Sequence, residues 1–157
     1  QEFRHLVRLH QDRVYATALR LLRDPAEAED VAQEAFLKAF RNLRRFELGR
    51  RFSPWVCTIA ANLARDRLRR PFRRLRSFLE PKEEASSAPS PGAGLEREAE
   101  IEALVERLDG LKPKLREAVV LRYVSGMSVE EVAEALEIST SAAKMRLKRA
   151  LDQLREG

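Results

Sequence analysis

The segment MSVEEVAEALEISTSAAKMRLKRALDQLR, residues 127–155, has the pattern of two short helices separated by a tight turn. Ser128 and Glu131 form a capping box that predicts the start of the first helix. Glu137-Ile138-Ser139 predicts the turn, and the second helix is expected to begin at about Thr140. Apolar residues recur at core spacing on both helices. The pattern is typical of a helix-turn-helix whose second helix fits the major groove of DNA, although a helical hairpin with lysines can also be purely structural.

The outward face of the second helix is basic. It carries Lys144, Met145, Arg146, Lys148 and Arg149. Residues 138–157 contain five basic and two acidic residues, a net charge of +3, whereas residues 101–137 contain five basic and eight acidic residues, a net charge of −3. Within residues 101–157 the net positive charge is therefore confined to the helix that would enter the groove, which favours DNA recognition over a structural role.

A low-complexity stretch separates this unit from the rest of the chain. EPKEEASSAPSPGAG, from Glu80 to Gly94, is rich in Pro, Ser, Ala and Glu and has no apolar period. Such a composition cannot bury enough surface to offset the entropy of ordering. We predict an all-α fold of two small helical domains, residues 1–76 and 95–157, joined by a flexible acidic linker at 77–94.

The N-terminal part of the chain is strongly basic, with 18 Lys and Arg against nine Asp and Glu in residues 1–79, a net charge of +9. Asp24-Pro25, with Glu27, predicts the start of a helix. Its inward stripe is predicted to consist of Ala32, Phe36, Ala39, Phe40 and Leu43. The opposite face is either a solvated surface or a protein-docking site, and it includes Asp30, Gln33, Glu34 and Leu37.

The segment FSPWVCTIAANLARDRLRR, residues 52–70, predicts a further helix with Ser53-Pro54 as its start signal. We expect the core-facing side of this helix to consist of Val56, Ile59, Ala60 and Leu63. An adjoining stripe carries Trp55, Asn62, Arg65, Asp66 and Arg69. Arginines contact phosphates, an indole can stack on a base and an amide can bond an unstacked base. Taken alone, Trp55 fits a core position and the arginines fit a solvated helix end; the combination favours nucleic acid.

The sequence lacks the residue patterns that a disulfide, a metal site or an enzyme active site would need. With one cysteine, Cys57, and two histidines, an internal disulfide and a zinc site are not expected. No carboxylate pairs with a histidine or nucleophile in a recognisable pattern and no glycine-rich phosphate loop is present, so we predict no catalytic residues, no metal, no cofactor and no enzyme activity. A nuclease would need an acidic metal cluster, and only Asp66 lies near the basic helix. No apolar run approaches a membrane span, so we expect a cytoplasmic protein without membrane insertion.

Three segments in this order resemble the extracytoplasmic-function (ECF) group of bacterial sigma factors. They are residues 24–40, DPAEAEDVAQEAFLKAF, residues 52–70 and residues 127–151. The resemblance covers nearly the whole chain. It departs from the family pattern in the last helix, where Ala142-Ala143 and Met145 replace the more usual Thr-Val and Ser, which bears on the DNA sequence preference.

The resemblance implies a sigma subunit that binds core RNA polymerase and directs it to promoters. The N-terminal domain, of the sigma region 2 type, would grip the β′ clamp helices through Asp30, Gln33, Glu34 and Leu37. It would melt and capture the −10 element through Arg50, Arg51, Phe52, Trp55, Asn62, Arg65, Arg69 and Arg70. Asp66 is expected to orient an arginine.

The C-terminal domain, of the sigma region 4 type, would read duplex −35 DNA through Lys144, Met145, Lys148 and Arg149, with Arg146 on the backbone. The implied partners are core RNA polymerase, including its β′ and β subunits, promoter DNA and, in some systems, an anti-sigma factor. The alternative is an autonomous helix-turn-helix regulator that binds a palindrome as a dimer without polymerase.

Overall fold

The computed structural model describes residues 1–70 and 95–156. The α-helices within these ranges are α1 Glu2–Leu22, α2 Pro25–Arg41, α3 Phe52–Arg69, α4 Leu95–Asp109, α5 Pro113–Val119, α6 Val129–Leu136 and α7 Thr140–Glu156. A 3₁₀ turn, Leu43–Arg45, follows α2, and a π-helical turn, Val120–Val124, continues α5. The all-α prediction is confirmed. The predicted linker at 77–94 lies outside the described residues.

Local capping sets several helix starts where the sequence predicts them. The Asp24 carboxylate accepts a hydrogen bond from the Glu27 amide at 3.2 Å, with Pro25 in the first turn of α2. At α6 the capping box is complete, because Ser128 Oγ accepts from the Glu131 amide at 3.1 Å and the Glu131 carboxylate accepts from the Ser128 amide at 3.0 Å. Helix α7 begins at Thr140, as predicted.

The start of α3 differs from the prediction. The helix begins at Phe52, its N-cap residue Arg51 makes no side-chain cap, and Ser53 is buried in the first turn. The Ser53 hydroxyl accepts a 3.4 Å hydrogen bond from the guanidinium of Arg13 on α1. The start signal assigned to Ser53-Pro54 was therefore wrong, because a tertiary contact uses the hydroxyl that would have capped the helix.

The N-terminal unit packs α1, α2 and α3 around small and branched side chains. On α2 the buried residues are Ala28, Val31, Ala32, Ala35, Phe36 and Ala39. The predicted inward positions of Phe40 and Leu43 were wrong, since Phe40 is 59% exposed and Leu43 lies in the 3₁₀ turn after the helix. Phe40 instead places its ring edge-on to that of Phe3, with centroids 5.1 Å apart.

The C-terminal unit buries Leu121, Met127 and Val132 completely and closes over them with the inward face of α7. Gly126 has φ +72°, a left-handed conformation that glycine adopts without strain, and it lies between the π-helical turn and α6. On α4 the apolar stripe is mostly on the surface, because Ile101 and Leu104 are exposed while Leu108 is buried.

The two units meet where the π-helical turn lies against α1. The extra residue of this turn is seen in the hydrogen bond from the Ser125 amide to the Val120 carbonyl, 2.9 Å long. It places Ser125 against Thr17 of α1, and the two buried hydroxyl oxygens lie 2.7 Å apart. The Thr17 hydroxyl also bonds the Arg13 carbonyl at 2.9 Å, so its single proton is engaged there and Ser125 is the donor in the pair.

Candidate nucleic-acid interface

The outer face of α7 presents the residues predicted to read duplex DNA. Lys144, Met145, Lys148 and Arg149 are exposed, and Arg146 is half-buried at the flank. Opposite them, Ala143, Leu147 and Ala150 are buried against the unit's core. Because the core fixes the rotation of the helix, this face stays available to a groove.

The predicted −10 surface is only partly available. Phe52 is 8% exposed, and its ring lies 5.3 Å from His10, 5.8 Å from Phe46 and 5.8 Å from Trp55, measured between centroids. Phe3 lies edge-on at 6.5 Å. The placement of Phe52 among the residues predicted to capture the −10 element disagrees with this packing, because the ring is a core member that joins α1 to α3.

Trp55 is half-buried at the edge of the same aromatic cluster, with its ring 5.1 Å from that of Phe46. About two turns further along α3, Asn62 is exposed and its Oδ1 accepts from Arg65 Nη1 at 3.1 Å. Asp66 is exposed and has no ion pair among residues 1–70 and 95–156. Within the described residues Asn62 is the side chain of this stripe that contacts an arginine, and the prediction that Asp66 orients an arginine stays a prediction.

Three of the predicted −10 arginines pair with carboxylates of the C-terminal unit. Arg50 Nη1 lies 2.5 Å from Glu134, and Arg51 Nη2 lies 2.5 Å from Glu131. Arg65 donates to both oxygens of Glu117, with its Nε 3.4 Å from Oε2. Arg51 Nη2 also donates to the Gly126 carbonyl at 3.2 Å.

These ion pairs have electrostatic consequences. Burial alone would raise the pKa of Glu131, but the amide of Ser128 and the guanidinium of Arg51 together hold it below its ordinary value. The pKa of Arg50 is raised, mainly by its hydrogen bond to Glu134. The pairing therefore favours the charged forms of Glu131 and Arg50.

Arg69 and Arg70 lie exposed at the carboxyl end of α3 and have no ion pair within the described part of the chain. Cys57, near the other end of α3, is buried, and burial raises the pKa of its thiol. The helix end thus offers cations to a ligand, while the thiol is unsuited to reactivity.

The outer face of α2 carries Asp30, Gln33 and Leu37 in exposed positions, with Leu37 56% exposed, and Glu34 half-buried. The sequence did not predict which residue pairs with the carboxylates of Asp30 and Glu34. Arg67 of α3, whose side chain is 19% exposed, lies 3.2 Å from Glu34 and 3.5 Å from Asp30. The signal was present, because the spacing of the buried residues on α3 continues to position 67 and turns Arg67 toward α2.

Other sites were sought in the described residues. Within 1–70 and 95–156 no group of three or more His, Cys, Asp or Glu side chains could hold a metal ion. Across the same ranges, no helix combines the length and the apolar character that a bilayer span needs.

Known proteins share both the sequence and this architecture. Residues 6–74 match the family described as Sigma-70 region 2, and residues 101–154 match the family described as Sigma-70, region 4. The RNA polymerase sigma factor CarQ of Myxococcus xanthus is 39% identical over 155 residues, 98% of this chain and 87% of that protein. The RNA polymerase sigma-E factor of Streptomyces coelicolor is 35% identical and covers 99% of this chain and 85% of its own length.

Solved structures agree. The sigma factor RpoE from Bartonella quintana, crystallised in complex with the anti-sigma factor NepR, superposes with a TM-score of 0.81 at 26% identity, over 99% of this chain and 95% of that one. CnrH, solved in complex with the cytosolic domain of CnrY, superposes with a TM-score of 0.69 at 26% identity, over 98% of this chain and 85% of that one.

Proposed function

Because the chain belongs to the ECF group of RNA polymerase sigma factors, which direct the polymerase to promoters, we propose specific tasks for its two units. Residues 1–76 dock on core polymerase and hold the melted −10 element, and residues 95–157 read the −35 duplex. The observation that carries this division is the charge of α7, whose exposed face is basic while α6 before it is acidic.

The −35 role rests on the side chains that α7 presents together. Lys144, Lys148 and Arg149 are long donors that can bond base edges in a major groove, and Met145 supplies an apolar contact. Arg146, at the flank, is placed for the phosphate backbone. Their common exposure on a helix held by a buried opposite face supports docking as a rigid unit.

The −10 role is assigned to a corrected set of residues. Arg50, Arg51, Arg65, Arg69 and Arg70 supply cations for the phosphates, Asn62 supplies an amide for an unstacked base, and half-buried Trp55 offers one ring edge. Phe52 is left out of this set, because it serves the aromatic core.

Polymerase docking is assigned to the outer face of α2. Leu37 is a large exposed apolar side chain, and Asp30, Gln33 and Glu34 surround it with polar groups. An apolar centre with a polar rim is the usual composition of a protein interface. Arg67 is a positioning residue here, since its guanidinium holds both carboxylates of the rim.

The chemistry of RNA synthesis belongs to core polymerase in this proposal, so the chain has no catalytic residue of its own and acts in the cytoplasm with the enzyme. The similar sigma factor RpoE, solved in complex with the anti-sigma factor NepR, supports an anti-sigma factor as a further partner.

The experiment is run-off transcription from a genomic promoter library with core polymerase, with and without this chain. We expect transcripts from a distinct set of promoters only when both are present. An autonomous dimeric regulator would instead shift duplex DNA strongly without polymerase and would add no transcripts to core enzyme, and that result would refute the proposal.

A further inference from the structure

The contact between the two units brings opposite charges together at a functional surface. Three carboxylates of the C-terminal unit, here named the acidic latch, are Glu117, Glu131 and Glu134. Their partners on the N-terminal unit are Arg50, Arg51 and Arg65. All three partners belong to the set proposed to bind −10 DNA, so the latch occupies the surface that the promoter needs.

We propose that this sigma factor inhibits itself in the closed arrangement, with the acidic latch standing in for the phosphates of −10 DNA. The inference rests on the proposed −10 role of the three arginines. It concerns a contact within one chain, so it requires no bound inhibitor.

Glu117 and a DNA phosphate cannot bind the same edge of Arg65 at the same time. Its Nε and Nη2 both donate to the carboxylate of Glu117, and its Nη1 donates to Asn62. The two-pronged geometry that binds a carboxylate is also the one that binds a phosphate. Glu117 occupies the Nε–Nη2 edge of the guanidinium, so this edge of Arg65 can bind a phosphate only after Glu117 leaves.

The rest of the contact is shaped for close approach between the units. Thr17 and Ser125 form a buried hydroxyl pair across it. Beside them, Gly126 lies next to the guanidinium of Arg13 on α1, since a Cβ added at Gly126 would be 3.4 Å from Arg13 Nη1, an ordinary contact distance. The Gly126 carbonyl also receives Arg51.

The ion pairs across the closed arrangement are individually weak, which favours opening. The side chains of Arg50 and Glu134 are 58% and 64% exposed, and exposed ion pairs contribute little each. The pair of Arg65 with Glu117 is the most buried of the three, with side chains 31% and 13% exposed. Polar contacts of this kind are typical of domain interfaces that separate.

Closure leaves the other DNA surface open. Lys144, Met145, Lys148 and Arg149 are exposed in the closed arrangement. The latch therefore acts on −10 binding and leaves the −35 surface accessible.

The test compares two triple variants of the intact chain. The latch variant carries Glu117→Gln, Glu131→Gln and Glu134→Gln. The control carries Glu102→Gln, Glu106→Gln and Glu130→Gln, which are exposed and have no ion pair in the described part of the chain. Both lose three negative charges, so general attraction to DNA rises equally. Far-UV circular dichroism checks that both are folded.

Small-angle X-ray scattering measures closure without DNA. A compact chain of this length has a radius of gyration of about 15 Å. We expect the wild type and the control to stay near that value and the latch variant to exceed it clearly. An unchanged radius in the latch variant would overturn the proposal that these pairs hold the closed arrangement, whatever the arginines do on DNA.

Binding of a fluorescein-labelled single-stranded DNA of random sequence measures the masking. We expect the latch variant to bind about fivefold more tightly than the control. Equal affinity, with the radius increased, would show that closure does not mask the surface and would overturn self-inhibition. Arg65→Ala added to the latch variant then tests the proposed function separately, because an unchanged affinity would remove Arg65 from the −10 set while the closure result stands.

Discussion

Replacing Phe52 with alanine tests whether this ring belongs to the core or to the DNA surface. The ring is 8% exposed and has four aromatic neighbours within 6.5 Å between centroids. Emptying such a site removes the transfer free energy of the ring and leaves a cavity between α1 and α3. We expect Phe52→Ala to lower the free energy of unfolding by about 3–5 kcal/mol, a large part of the roughly 5–15 kcal/mol that holds a domain together.

Urea titration followed by Trp55 fluorescence measures this change, since Trp55 is the single tryptophan and packs on the Phe52 ring. The matched control is Phe52→Leu, which keeps most of the apolar volume and is expected to cost about 1 kcal/mol. Because leucine cannot stack on a base, Phe52→Leu separates the two roles. We expect it to retain open-complex formation on a promoter.

A contrary pattern would refute the reasoning. If Phe52→Ala changed the unfolding free energy by less than about 1 kcal/mol and both variants abolished promoter opening, Phe52 would be a base ligand. The packing seen around it would then be incidental to stability.

Three other changes have definite expected outcomes. Leu37→Arg, at a 56% exposed position, should weaken co-purification with core polymerase while circular dichroism stays unchanged, and unchanged binding would remove α2 from the docking surface. Arg149→Ala should flatten base preference at one or two −35 positions in holoenzyme assays, whereas Arg146→Ala should weaken all promoters alike; an equal loss on every −35 variant would make Arg149 a backbone contact. Burial against Phe52, with Arg13 nearby, lowers the pKa of His10 in the folded state. The stability that its neutral form contributes is therefore present above about pH 6.5, the ordinary value, and is lost as the pH falls from there through the lower pKa of the folded state. Thermal unfolding should show this acid loss reduced in His10→Gln and kept in the exposed control His5→Gln.

Local signals in the sequence predicted the elements whose ends depend on nearby residues. Asp24 before Pro25, and Ser128 with Glu131, cap their own helices, so short-range spacing sufficed for α2 and α6. The outward face of α7 was also predictable, because small and apolar residues at core spacing determine its rotation.

Long-range contacts explain what the sequence did not predict. Ser53 has the chemistry of a helix cap, but Arg13, forty residues earlier, takes its hydroxyl. In the sequence Phe52 follows two arginines, which suggests an exposed position. In the structure Phe3 and His10 of α1 pack against its ring. A helix-end pattern contains no information about which ring will arrive from another helix.

The contacts between the two units are also long-range contacts that the sequence did not predict. The opposite net charges of residues 1–79 and 101–137 were visible in the sequence. Which carboxylate meets which guanidinium depends on the approach of the π-helical turn to α1, where Ser125 reaches Thr17. Charge balance therefore predicts attraction but not the partners, and the site residues Arg50, Arg51 and Arg65 were predicted without their intramolecular ligands.

The π-helical turn at Val120–Val124 makes the chain sensitive to residue number as well as residue type. Each residue of an α-helix advances the chain by about 100° around the axis, and a π turn contains one residue more than an α turn. Deleting one residue between Val120 and Val124 would restore ordinary helical winding but rotate Ser125 away from Thr17 by about that angle. Substitutions in this turn alter the strength of its contact with α1. A one-residue deletion instead removes the alignment of Ser125 with Thr17.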